Sequence, residues 1–292
     1  MERRMMDVII VNYKSTHQLL RCLESFVGDT TRTPVKVIVY DNTANNGIGF
    51  VEKKFPEVTV LHDGRNLGFA GAANKALAES AAPYVTLLNP DTIVLEGFFK
   101  AVLSYMEDHG EVGVAGPAIL NPDGSIQGSA RSFPNPLTGL FGRGSILTKL
   151  YPKNRISRAN ILTDRSNGGS PIEVDWVSGA CMIVRRKAID QVGPLDDRFF
   201  LYWEDADWCM RMHQKGWKVI YFPVPRVVHY VGASSSQRVF RSILDFHVSA
   251  YKLFCKYSNS RTQLASPLVT FALATRFVLA LITTWVGRSI KK

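Results

Sequence analysis

Three carboxylates, Glu204, Asp205 and Asp207, follow the aromatic run Phe199-Phe200-Leu201-Tyr202-Trp203. At the start of a helix such charges complement the helix dipole. Beside Trp203, however, a carboxylate is partly desolvated, which is the setting for a general base. Asp91 closes the tripeptide Asn89-Pro90-Asp91 after an apolar run. A lone carboxylate at a strand end can hold a divalent cation that bridges two phosphates, although the tripeptide is also an ordinary turn sequence. His229 ends the apolar pair Val227-Val228 and reads as a metal ligand or as a structural histidine. The segment Arg65 to Asn74 (RNLGFAGAAN) opens a helix with small residues, where close backbone approach and a helix N-terminus suit an anion. Tight packing of helix on sheet explains its glycines equally well but not Arg65.

These residues need a scaffold, and the spacing of apolar residues supplies one. Asp7–Asn12, Val35–Tyr40, Val58–His62 and Tyr84–Leu88 are short apolar or β-branched runs. Between them lie segments of helical spacing, such as Leu19, Leu20, Leu23 and Phe26, or Ala70 to Leu77. Near-continuous apolar strands alternating with helices predict a parallel sheet covered on both faces. Ligands of such sheets bind beyond the carboxyl ends of the strands. Asn12-Tyr13-Lys14, Asp41-Asn42 and Asn89-Pro90-Asp91 end three of these runs and should face one crevice. Further strands are expected at Glu173–Val177, Ala180–Val184 and Lys218–Phe222, with a helix from Glu204 to Lys215.

Composition narrows the class. The 292 residues are 46% hydrophobic and 21% charged, which excludes a disordered or collagen-like chain. The four cysteines are far apart and form no CxxC pair, so reduced thiols in a cytosolic protein are expected. No apolar h-region precedes the first strand, and no secretory signal is expected. The net charge of +10 is concentrated: residues 128–172 hold seven Lys or Arg against one acid, and residues 236–292 nine against one. Such clustering points to a polyanionic partner. Nucleic acid is the weaker choice, because no aromatic–basic recognition module is present. Residues 128–172, rich in Gly, Pro, Ser and Asn, read as a long mobile basic loop. In the tail, helical spacing gathers Arg238, Arg241, Asp245, Lys252 and Lys256 on one side, with Phe240, Ile243, Leu244, Tyr251 and Phe254 opposite. Pro267–Gly287 follows, with Arg276 its only charge.

Together the motifs resemble one family. VIIVNYKS, VIVYDN, RNLGFAGAAN, LLNPD, WVSGACMIVRR, FFLYWEDADWCMR, GW and VVHYVG stand in the order found in family 2 glycosyltransferases, nearest the bacterial rhamnosyltransferase branch of cell-surface polysaccharide synthesis. The resemblance spans roughly residues 6–235. It implies an α/β fold of GT-A type, a Rossmann-like nucleotide-binding sheet within a mixed central sheet. Residues 1–235 would be the catalytic domain, made of a nucleotide-sugar half (1–127), the basic loop (128–172) and an acceptor half (173–235). Residues 236–292 would form helices that associate with a membrane.

The resemblance also implies roles. Asn12, Tyr13 and Asp41 would line the nucleoside pocket, and Arg65, Asn66, Asn89 and Asp91 would lie by the donor. Trp176, Ser178, Gly179, Trp203 and Glu204 would form the acceptor side, with Asp205 as catalytic base. Asp91 and His229 would hold Mg2+ or Mn2+. Asn89 replaces the first acid of the family's DxD motif, which leaves one charged ligand fewer and implies weak metal affinity. The implied reaction is inverting transfer of a sugar, L-rhamnose from dTDP-rhamnose, onto a polyprenyl-diphosphate-linked glycan. Galactofuranose from UDP-galactofuranose, or a catalytically silent sugar-nucleotide-binding paralogue, are the alternatives. The tail is expected to lie peripherally on the cytoplasmic face of the inner membrane, with Arg276 at the headgroups and Leu273, Phe277, Leu281 and Trp285 in the acyl boundary. The rival placement packs the helix pair on the catalytic domain or on a second copy of the chain, as a homodimer.

Overall fold

The computed structural model describes residues 5–27, 35–43, 47–134, 160–166, 169–230 and 239–289. Its first half alternates strand and helix: β1 (Met6–Asn12), α1 (Thr16–Glu24), β2 (Val35–Asp41), α2 (Gly49–Lys54), β3 (Val58–Leu61), α3 (Gly68–Ala78) and β4 (Tyr84–Leu88). Every residue of β1 and β4 is buried, as two covered faces require. Alternate β1 residues serve opposite layers. Met6, Val8 and Ile10 pack with Leu19, Leu23 and Phe26, whereas Ile9 and Val11 pack with Ala70 and Ala73 of α3.

The second half adds β5 (Thr92–Val94), α4 (Phe98–Asp108), β6 (Val112–Leu120), β7 (Ala130–Arg131), β8 (Ile172–Glu173), β9 (Trp176–Val177), β10 (Cys181–Arg185), α5 (Arg186–Val192), α6 (Glu204–Gln214) and β11 (Lys218–His229). The main sheet runs β3-β2-β1-β4-β10-β6-β11-β5, with β8 on β11, while β7 and β9 form a small second sheet. The first four strands are parallel, as expected. β10 then enters antiparallel between β4 and β6, and β5 antiparallel to β11, which makes the whole sheet mixed.

Two strand expectations need correction. The run 173–177 is two short strands in different sheets, because Val174 bonds back to Val219 and the chain then turns to β7. The strand expected to stop at Phe222 continues to His229; its register shifts between Phe222 and Arg226, across Pro223 and Pro225, which have no N–H to donate. Most of the basic segment 128–172 lies outside the described residues.

The C-terminal helices α7 (Val239–Tyr257), α8 (Ser260–Gln263) and α9 (Ser266–Ser289) overturn the expected orientation of the tail. The polar side of α7 faces the protein: Asp245 and Ser249 are buried, and Lys252 donates to the Arg198 carbonyl. Lys256 lies 2.6 Å from both Asp196 and Asp207. Arg238 lies outside the described residues. Arg276 of α9, expected at the headgroups, sits 5.2 Å from the centre of the Phe246 ring. Phe277, expected in lipid, packs against Phe240 and His247. The exposed apolar residues differ in part from those expected: Leu268 and Phe271 are 70% and 71% exposed, together with Trp285, expected in lipid, at 72%.

Lys256 is the main ionic tie between α7 and the sheet layer. Lys256→Met leaves Asp207, wholly buried, with only Arg211 and Tyr257, and should cost about 1–3 kcal/mol in urea unfolding. Hydrogen bonds from Arg198 and Lys256 hold Asp196 far below its ordinary value of 3.8. A depressed carboxylate stabilises fully above that value. The difference between wild type and variant should therefore persist at neutral pH and shrink only as pH falls below about 4.

Candidate active site

The parallel register sets three strand ends side by side. Asn12 pairs with Asp41 across β1 and β2, and Ile10 with Leu88 across β1 and β4. Asn12 and Asp41 are both fully buried, and Asn12 Nδ2 donates to Asp41 Oδ1 at 3.2 Å. Oδ1 also accepts from the backbone and hydroxyl of Thr43, at 3.2 and 2.8 Å, and Oδ2 from Gly47 N at 3.1 Å. An ionised carboxylate has about four acceptor positions. The four bonds match those positions, so Asp41 chiefly holds its loop in shape. Tyr13 is half-buried at the same edge, where Lys14 takes a left-handed turn (φ 52°).

The start of α3 differs from the expected anion site. Leu67 N donates to Asn42 Oδ1, Gly68 N to Asn66 Oδ1, and Phe69 N to the Phe200 carbonyl at 2.7 Å. The helix's first donors are thus already taken by protein, and Asn66 is occupied in the turn, where it also accepts from Asn42 Nδ2. Arg65 is exposed and paired with Asp63 at 3.1 Å. Gly68 is required twice over: its φ is +74°, and a Cβ would lie 2.3 Å from the Phe200 carbonyl oxygen.

Asp91 and His229 come together because Thr92 and His229 are register partners between β5 and β11. His229 Nε2 lies 3.2 Å from Asp91 Oδ1. The contact is outside hydrogen-bond alignment, since Asp91 Oδ1 is buried with no hydrogen-bond partner. Neighbouring ligands of an octahedral ion at ~2.1 Å stand about 3.0 Å apart, so this carboxylate and imidazole fit one small hard cation. Among the described residues no group of three or more His, Cys, Asp or Glu is gathered for a metal. Two protein ligands suit Mg2+ or Mn2+ completed by phosphate and water oxygens. Asn89 is half-buried beside them, its N–H on the Ala180 carbonyl and its own carbonyl accepting from Thr92 Oγ1 at 2.6 Å.

That Asn89–Ala180 bond carries the edge across to the other half. Gly179 N, one residue earlier, donates to Asp205 Oδ2 at 2.9 Å, while Ala206 N donates to Oδ1 at 2.8 Å. A Cβ on Gly179 would stand 3.3 Å from Asp205 Cβ, a tight contact that glycine avoids. Ser178 N is bonded to the Ser129 carbonyl, which joins this turn to β7. Trp176 and Trp203 lie 6.1 Å apart, centre to centre, and Arg131 stacks over Trp176 at 5.5 Å. Tyr202 and Trp203 are both left-handed (φ 68° and 71°), a strained pair immediately before the carboxylates. They are held from outside: Trp203 Nε1 donates to the Phe246 carbonyl and Ser249 Oγ to that of Leu201.

The three carboxylates have separated roles. Asp207 is consumed by Arg211, Lys256 and Tyr257. Glu204 is 6% exposed with Oε2 unpartnered. Burial, reinforced by the adjacent Asp205 charge, raises its carboxyl well above the ordinary range. Burial raises Asp205 too, opposed by the N–H groups of Gly179 and Ala206 and by the charge of Arg131. Of the three, Asp205 is the carboxylate poised to accept a proton. Sequence reasoning missed Gln127, whose amide contacts His229, and the electrostatic part of Arg131. Gln127 belongs to no pattern, and Arg131 registered there only as one charge in a basic loop.

The comparisons with known proteins agree with this geometry. A family profile described as "Glycosyltransferase like family 2" matches residues 4–243. An N-acetylglucosaminyl-diphospho-decaprenol L-rhamnosyltransferase from Mycobacterium tuberculosis is 32% identical over 84% of this chain and 82% of its own length. Rhamnosyltransferase WbbL from Escherichia coli is 26% identical over 77% of this chain and 83% of its own. Among solved structures, the mannosyltransferase PcManGT from Pyrobaculum calidifontis, in complex with GDP-Man and Mn2+, covers 98% of this chain and 79% of its own, with TM-score 0.57 and 13% identity. At that identity the likeness speaks for the GT-A fold alone. By its sequence, its sheet and its carboxylate-bearing edge, this chain belongs to glycosyltransferase family 2 and is a glycosyltransferase.

Proposed function

We propose that the protein transfers L-rhamnose, with inversion, from dTDP-rhamnose to a lipid-linked glycan in cell-surface polysaccharide synthesis. The observation that carries this reading is Asp205, desolvated and fixed by two N–H groups on the same sheet edge as the Asp91–His229 pair. The sugar and the acceptor class rest on the activities of the rhamnosyltransferase relatives. In the reaction Asp205 accepts the proton of an acceptor hydroxyl. That oxygen bonds to the anomeric carbon as the bond to the diphosphate breaks. Asn12, Tyr13 and Asp41 bind the nucleoside side, and Trp176 and Trp203 offer aromatic faces to the incoming glycan. Arg131 and the two N–H groups favour the ionised form of Asp205, against the effect of its burial. Bound Mg2+ or Mn2+, held by Asp91 and His229, supplies charge neutralisation at the leaving diphosphate.

The domain division follows function. Residues 1–235 carry the chemistry, and α9 offers its bare stripe to the cytoplasmic face of the inner membrane. Ser266–Val286 is also long and apolar enough to cross a bilayer. A surface placement is favoured because Arg276 is tucked against Phe246 and the segment is flanked by Arg261 and Arg288.

Asp205→Asn should lower transfer by about 10²–10⁴-fold while leaving dTDP binding intact. Because burial raises Asp205, the wild-type rate should fall on acidification at a pH above 3.8, the ordinary value of an aspartate. A pH–rate profile of kcat with dTDP-rhamnose checks both, and wild-type turnover by the variant removes Asp205 as base.

Asp91→Ala should abolish metal-stimulated transfer and weaken dTDP binding in Mn2+ but not in EDTA. Isothermal titration under the two conditions reads the difference; wild-type activity unaffected by EDTA counts against the metal pair.

Leu268→Glu combined with Phe271→Glu should release the full chain from anionic liposomes in flotation. Retention of the double variant assigns attachment to another surface.

A further inference from the structure

Gln127 is 5% exposed and stands outside every motif. Its Nε2 donates to the carbonyls of His229 (2.9 Å) and Leu120 (3.3 Å). Carbonyls only accept, so the amide cannot be turned over without setting its oxygen against both of them. Its Oε1 is thereby fixed towards His229 Nδ1, 3.2 Å away. An amide oxygen only accepts in turn, so Nδ1 must carry the proton. In a neutral imidazole the lone pair then resides on Nε2, the nitrogen that lies 3.2 Å from the unpartnered Oδ1 of Asp91. Two electron-pair donors side by side in a buried place repel each other unless a cation is shared between them.

We infer that Gln127 is a positioning residue that selects the metal-binding tautomer of His229 and aims Nε2 at the ion shared with Asp91. The inference rests on the proposed metal role of Asp91 and His229. It gives the pair a fixed ligand form before any metal arrives. It also explains why a buried polar residue is tied by its side chain to the backbone of the strand that bears the ligand. The backbone restrains it further: Gln127 N donates to the Ile119 carbonyl at 2.7 Å, and its own carbonyl accepts from Ser129 N at 2.8 Å. An outer partner of this kind is generally worth about 10–100-fold in metal affinity.

The test uses the full-length chain with Mn2+ and dTDP, and free Mn2+ is read by electron paramagnetic resonance. Gln127→Met keeps the volume but presents no strong acceptor to Nδ1; Gln127→Glu keeps the acceptor. Met should weaken Mn2+ binding by about 10–100-fold; Glu, which keeps an acceptor for Nδ1 but sets its second oxygen against the Leu120 and His229 carbonyls, should bind Mn2+ more tightly than Met and less tightly than wild type. dTDP binding in EDTA, which reports folding, should be the same in all three. Nitrogen-15 spectra of His229 without metal should show the Nδ1–H tautomer in wild type and a mixture in Gln127→Met. If Asp91→Ala loses Mn2+ and Gln127→Met does not, the role of Gln127 is overturned and the metal pair stands. If wild type and Asp91→Ala bind Mn2+ alike, the metal pair falls, and the role of Gln127 with it.

Discussion

The placement of Asn12 opposite Asp41, with Ile10 opposite Leu88, is the constraint from which the site is built. A parallel register brings strand ends of unrelated sequence to one edge, and a slip by a single residue would turn each side chain to the other face. The last backbone N–H beyond β4, that of Asn89, is met by Ala180, and so the antiparallel entry of β10 is placed by the same edge. Gly179 then presents its N–H to Asp205. The Asn89 edge and the Asp205 carboxylate are thus joined through successive backbone N–H groups.

The segment bearing Asp205 is strained, and its surroundings account for why it persists. Two consecutive left-handed residues of this kind cost on the order of 1–3 kcal/mol each. The first turn of α3 meets the segment from one side through Phe69 N and the Phe200 carbonyl, and α7 meets it from the other through Phe246 and Ser249. Gly68 is small for that reason, and the helix start that resembles an anion cradle serves as a dock for the loop that carries Asp205. The family profile ends at residue 243, so the groups of α7 that grip this loop lie beyond it.

The strands of the parallel half were legible because both faces are covered and their apolar runs are unbroken. The carboxylates were legible as candidates because few residue types can move a proton or hold a hard cation. Sequence could not divide the labour among Glu204, Asp205 and Asp207, since that depends on Lys256 and Tyr257 arriving from a distant helix. Nor could it orient the tail. Its amphipathic pattern was real, but the polar side found ionic partners on the protein, which a helical wheel does not contain. Nor could the sequence show that Asn66 is bonded within the turn before α3 and that Arg65 pairs with Asp63.

Residues 127–131 touch both halves of the chemistry: Gln127 at His229, the Ser129 carbonyl at Ser178, and Arg131 over Trp176 and near Asp205. One short segment is therefore a common rail for the His229 and Asp205 ends of the edge. Residues that share such a support are not energetically independent. A change that shifts the rail at one end is transmitted to the other, so damage at His229 and at Asp205 would combine non-additively even though no side chain links them. The same rail limits how such an enzyme can diversify. A change between Gln127 and Arg131 made at one end would therefore be felt at the other.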